Sequence, residues 1–156
     1  MMTLIEKICG EFAKEKIPYA IVGGFAVALH GAVRGTIDID IITNIALENF
    51  EKIESSLKRM GFASRLPVVA REVFSFREEY IKNRNLIAWS FYNTSNPTEV
   101  VDVIITHDLK NFKTAVKEFR GHKLVILAID DLMAMKEESG RPQDLLDIAA
   151  LRKLKK

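Results

Sequence analysis

The chain has 156 residues, 48% of them hydrophobic and 28% charged, with a formal net charge of +2. That suits a single domain over residues 1–156 with one core, since single domains commonly run ~100–200 residues, and it is too little charge to predict nucleic-acid binding by bulk electrostatics. The lone cysteine, Cys9, excludes an internal disulfide and a cysteine-based zinc site, and with no signal-like leader and no apolar run near the ~20 residues of a membrane helix the expected location is cytoplasmic, without membrane.

Residues 3–16 set Leu4, Ile5, Ile8, Cys9 and Phe12 on one face and Glu6, Lys7, Glu11 and Lys14 opposite, an amphipathic helix ended by Pro18. Cys9 falls on the apolar face and reads as a packed thiol rather than a nucleophile. Residues 19–22 form a short buried strand that runs into Gly23-Gly24 and the helical FAVALHG, which stops at Gly31. The segment 36–43, TIDIDIIT, alternates as a strand does, and 46–60 returns to helical spacing through Leu47, Phe50, Ile53, Leu57 and Met60. Strands are expected at 72–77, 85–92 and 98–105, while Arg65, Arg71, Arg77 and Arg84 punctuate the stretch 62–84. Asp108 is expected to cap a helix that carries Leu109, Phe112, Val116 and Phe119 inward. A strand follows at 123–128. Asp130 or Asp131 then opens a helix, Gly140 breaks it, and Pro142 suits the first turn of a last helix to Leu154. No repeat or linker interrupts this mixed α/β order, an α+β arrangement with a mixed sheet flanked by helices.

The chemistry concentrates in residues 23–40, GGFAVALHGAVRGTIDID. In a strand, residues two apart share a face, so Asp38 and Asp40 point one way while Ile37, Ile39 and Ile41 point into a core. Like charges so placed repel unless a cation stands between them. Mg²⁺ suits the role, because it takes hard carboxylate oxygens and shares its shell with substrate phosphates. Asp102, within EVVDVII, is a carboxylate among apolar neighbours, costly unless paired or metal-bound. Were its strand beside that of Asp38 and Asp40, three carboxylates would converge on a metal pair. Gly23-Gly24 follows a strand and opens a helix, leaving backbone N–H groups free to face an anion. Arg34 and Thr36 add a charged and a hydroxyl donor for phosphate. Neither GxxxxGK[ST] nor GxGxxG occurs.

This run resembles the signature of the nucleotidyltransferase superfamily, which includes DNA polymerase β, the antibiotic nucleotidyltransferases and the minimal bacterial nucleotidyltransferases. Gly23, Gly24, Asp38, Asp40 and Asp102 match it in order. The fuller pattern GGxAVxxHGxxRxTxDID is similar to the AbiEii-type toxins of abortive-infection systems, and DLMAMKEESGRPQDLLDI at 131–148 resembles their tail motif, with Lys136, Arg141 and Asp144 in the matching positions. The resemblance implies a nucleotidyltransferase fold and transfer of a nucleotidyl group from a nucleoside triphosphate such as ATP, with Mg²⁺ or Mn²⁺. Asp38, Asp40 and Asp102 would be metal ligands, Asp102 helping to deprotonate the acceptor. Lys136 would act on the triphosphate, with Gly23, Gly24, Arg34, Thr36, Arg141 and Asp144 around the nucleotide. The acceptor, whether small molecule, tRNA or protein, stays open, as do an antitoxin partner and self-association. A non-catalytic nucleotide-binding or partner-binding module on the same fold is the alternative.

Other residues read more plainly. His30 closes a helix end, and His107 and His122 stand isolated and are not expected to bind metal. Trp89 and Phe91 suit strand packing better than base stacking, and RKLKK is a cationic helix end.

Overall fold

The structure, a computed structural model, describes residues 2–155. Thr3 caps the first helix, α1 (Leu4–Lys14), with its hydroxyl, and the Glu6 carboxylate answers on the Thr3 backbone N–H in a capping box. Glu6 departs from the sequence expectation: it is 2% exposed instead of lying on the polar face. The cap turns its carboxylate toward the helix start, where His122 and Arg120 cover it at 3.1 and 3.6 Å. Cys9 is buried as expected.

β1 (Ala20–Val22) leads without a break into α2 (Gly23–Leu29), and His30 caps that helix, its ring Nε2 lying 2.8 Å from the Leu127 carbonyl. β2 (Ile39–Ile42) starts three residues later than the alternation suggests. Its ladder begins with Ile39 against Val101, so residues 36–38 have no strand partner and Ile37 is 72% exposed rather than in the core. α3 (Leu47–Arg59) and β3 (Phe62–Ser64) follow.

The expected strand at 72–77 is helical: α4 (Ala70–Ser75) and α5 (Arg77–Arg84) occupy this stretch. Glu72 caps α4 by accepting from the Val69 N–H, and Ala70 and Val73 bury one face at helical spacing. β4 (Ala88–Asn93) and β5 (Asn96–Ile104) form a hairpin close to the expected positions.

The helix expected after Asp108 is also corrected. Asp108 caps only a 3₁₀ turn at Leu109–Asn111, after which the chain becomes β6 (Thr114–Phe119), paired with β7 (His122–Leu127). Arg120 and Gly121 both take positive φ, 53° and 84°, which makes a tight hairpin turn that a helix cannot contain. Val116 consequently faces outward, 59% exposed. α6 (Ile129–Ser139) ends at Gly140 in the left-handed region, and Pro142 opens α7 (Pro142–Leu154) as the sequence suggests.

The described residues form one seven-stranded mixed sheet in the order β3-β4-β5-β2-β1-β7-β6. Register divides it into two unlike faces. Ile39, Ile41, Val101, Val103, Trp89 and Phe91 share one face and form the core with α3, where Phe50 meets Trp89 at a ring separation of 6.0 Å. Asp40, Asp102 and Ser90 lie in a row on the other face. Among the described residues no helix is long and apolar enough to cross a membrane.

Candidate active site

The parallel pairing of β2 with β5 sets Asp40 directly beside Asp102 at the sheet centre. Burial, reinforced by the charge of Asp102, a hydrogen-bonding contact with it and the charge of Asp38, pushes the Asp40 carboxyl up to about 7, with Lys136 pulling the other way. The Asp38 carboxyl is also raised, by burial and by Asp102, against an opposing pull from Arg65. Ser90 Oγ donates to Asp102 Oδ1 at 2.5 Å and fixes that carboxylate from the third strand.

Gly23 sits at φ +67°, and a Cβ there would collide with Asp40 Oδ2. Only glycine lets α2 begin this close to the carboxylate. At Gly24 a Cβ would stand 2.8 Å from both Cβ and Oγ1 of Thr36 and 3.2 Å from Cζ of Arg34, so the absent side chain makes room for the phosphate-donor candidates themselves.

A cleft of about 340 Å³ opens above these residues, lined by Gly23, Gly24, Arg34, Thr36, Ile37, Asp38, Asp40, Lys136 and Arg141. α6 packs against α7 and touches α2, and the turn at Gly140 leaves Lys136 and Arg141 on the same cleft as Asp38 and Asp40. Lys136 is 5% exposed yet lines the cleft, its Nζ 3.4 Å from Asp144 Oδ1 and 2.9 Å from Asp147 Oδ2. Asp144 accepts from the Arg141 backbone N–H at 3.1 Å and from Arg141 Nε at 2.8 Å, so it both starts α7 and holds Lys136. Burial pushes the Asp144 carboxyl up, but the Arg141 hydrogen bonds and the Arg141 and Lys136 charges outweigh it and hold it below the usual range.

Sequence reasoning missed Asp147, Ser90 and Arg65. Asp147 had a signal: it lies three residues after Asp144 and so on the same face of α7. Ser90 and Arg65 had none: strand register alone brings Ser90 beside Asp102, and only the fold brings the Arg65 charge within influence of Asp38. The acidic and basic residues expected at the site from the sequence all lie in or beside this one cleft, Asp102 and Asp144 through their partners Asp40 and Lys136. Among the described residues no three His, Cys, Asp or Glu side chains form a ready-made metal cage. His107 instead pairs with Glu138, and His122 with Glu6.

The arrangement of this sheet and its helices has counterparts among solved structures. The solution structure of the antibiotic-resistance factor ANT(2'')-Ia superposes with a TM-score of 0.65 at 14% identity, over 97% of this chain and 80% of that one. The lincosamide antibiotic adenylyltransferase LnuA, solved with lincomycin bound, gives 0.64 at 16% identity over 98% of each chain. The chain has the nucleotidyltransferase fold. An antigenic nucleotidyltransferase-like protein from Paracoccidioides brasiliensis agrees, with a TM-score of 0.62 at 15% identity over 97% of this chain and 74% of that one. No protein-family model and no curated protein matches the sequence. At these identities the likeness is one of fold, and function has to be argued from the cleft itself.

Proposed function

We propose that the chain is a metal-dependent nucleotidyltransferase that joins an acceptor oxygen to the α-phosphorus of a nucleoside triphosphate and releases pyrophosphate. One observation carries the reading: a single cleft sets paired acidic residues against a wall of Arg34, Lys136 and Arg141. That is the charge pattern a triphosphate with a bound cation would complete. Hard carboxylate oxygens set side by side on β2 and β5 are the donors Mg²⁺ or Mn²⁺ takes, and burial together with the Asp102 and Asp38 charges pushes the Asp40 carboxyl up to about 7, only partly offset by Lys136. Asp38, Asp40 and Asp102 would hold the ion, which when bound neutralises charge on the phosphate oxygens and acidifies the acceptor hydroxyl.

The protein's own groups do the rest. Gly23 and Gly24 keep the cleft floor free of side chains, and Thr36 offers a hydroxyl to a phosphate oxygen. Lys136 acts as a compact charge on the triphosphate, and Arg34 and Arg141, each held from behind by a carboxylate, offer their remaining N–H donors. Asp102, its other oxygen held by Ser90, takes the acceptor proton as the new bond forms. The AbiEii-type, toxin-like reading is supported by the tail, where Lys136 lines the cleft and Asp144 bonds to it.

ANT(2'')-Ia has been solved with adenylyl-2''-tobramycin and LnuA with lincomycin. Small-molecule acceptors are therefore the first class to try, before tRNA or protein. The test incubates the protein with each labelled nucleoside triphosphate, Mg²⁺ and a cell extract, then identifies the labelled product. Label transfer that disappears in Asp102→Ala is the expected result. Triphosphate binding without transfer to any acceptor would favour a non-catalytic module instead.

A further inference from the structure

We infer that Asp147 is the positioning residue of this cleft: one carboxylate holds Lys136 and Arg34 together, so that both cations meet the phosphates as a unit. The inference rests on the nucleotidyltransferase reading but names a residue to which the tail resemblance assigned no role. Asp147 is 2% exposed and does not line the cleft. Its Oδ2 lies 2.9 Å from Lys136 Nζ, while its Oδ1 accepts from Arg34 Nε at 3.0 Å and from Gln143 Nε2 at 3.0 Å. Asp147 therefore ties α6 to the strand-less stretch 31–38, more than a hundred residues away in sequence.

Helix capping does not require it. Asp144 already caps α7 and already pairs with Lys136. What Asp147 adds is the link to Arg34, which sits on a stretch with no ladder partner and whose Nη1 otherwise bonds its neighbour, the Gly35 carbonyl. Without that link only a bond to the adjoining residue's carbonyl directs the Arg34 fork, whereas a clamp on a triphosphate needs its donors set before the ligand arrives. Burial raises the Asp147 carboxyl, but Lys136, Gln143 and Arg34 outweigh burial and keep it ionised, as a bridge between two cations requires.

The test uses Asp147→Asn, which keeps shape and an acceptor oxygen but removes the charge. Two readouts are taken: calorimetric binding of inorganic tripolyphosphate with Mg²⁺, and acetylation of Lys136 by an activated ester, followed by mass spectrometry against exposed lysines. Expected are an affinity loss of about tenfold and a rise of about threefold in Lys136 labelling. No further affinity loss is expected when the change is made in the Arg34→Gln, Lys136→Met background. Unchanged Lys136 labelling, or the same affinity loss in both backgrounds, overturns the proposal. If wild-type protein binds no tripolyphosphate, the phosphate wall of the nucleotidyltransferase reading fails, while Lys136 labelling still decides what Asp147 holds. Thermal unfolding checks that the variant folds. Should it not, Arg34→Gln and Lys136→Met are combined with Asp147 intact, and strictly additive effects on tripolyphosphate affinity overturn the inference.

Discussion

Asp40 binds a proton in the folded chain at pH values where an unfolded chain has lost it, because its carboxyl rises from 3.8 to about 7. Folding stability must then fall as pH rises through that window, and stay reduced above it. Asp40→Asn removes the penalty. Urea unfolding should find the variant more stable than wild type by about 1–3 kcal/mol at pH 8, with the gain gone by pH 4. A gain of equal size at both values would tie it to packing and not to ionisation. The same substitution should abolish Mg²⁺-coupled triphosphate binding. Gly23→Ala tests the neighbouring contact, since it adds a methyl group against Asp40 and strains a φ of +67°. A destabilisation of about 1–3 kcal/mol is expected, opposite in sign to Gly10→Ala within α1, where a Cβ meets nothing within 4 Å and alanine favours the helix.

At the scale of elements, the turn between α6 and α7 decides whether Lys136 and Arg141 reach the cleft. Gly140 makes that turn at φ +60°. Gly140→Ala should cost about 1 kcal/mol in thermal unfolding, and should weaken tripolyphosphate binding as well, because it disturbs the approach of the two cations. Loss of stability with intact binding would show that the helices keep their angle without the glycine. Two elements were misread for identifiable reasons. Residues 109–119 carry apolar residues at helix-like intervals, but the Arg120-Gly121 turn and the alternation from Thr114 to Phe119 belong to a hairpin with β7. Residues 70–84 show only a weak apolar face, and α5 buries no residue, so periodicity had little to report there.

Across the whole molecule, the sheet separates stability from chemistry. Phe50 is fully buried against Trp89 and Phe74 on the face away from Asp40. Phe50→Ala should therefore cost about 3–5 kcal/mol in urea unfolding and leave the tripolyphosphate affinity of the folded fraction unchanged. An altered affinity would mean that the two faces are mechanically coupled.

What the sequence determined by itself is local. The glycine pair, the Asp38–Asp40 spacing, the lone Asp102 and the helix-end signals at Gly140 and Pro142 are all written within a few residues, because backbone conformation and strand alternation act at that range. What only the tertiary structure decided is which of those pieces meet. The placement of Asp102 beside Asp40 needs the parallel register of β2 on β5, and Ser90 enters only through the next strand. Arg34 and Asp147 pair across 113 positions of sequence. The exposure of Ile37 was decided the same way: alternation assigned it to the core, but residues 36–38 found no strand to pair with and became the rim of the cleft. Alternation records which side chains share a face, and only the ladder partner determines whether that face is buried.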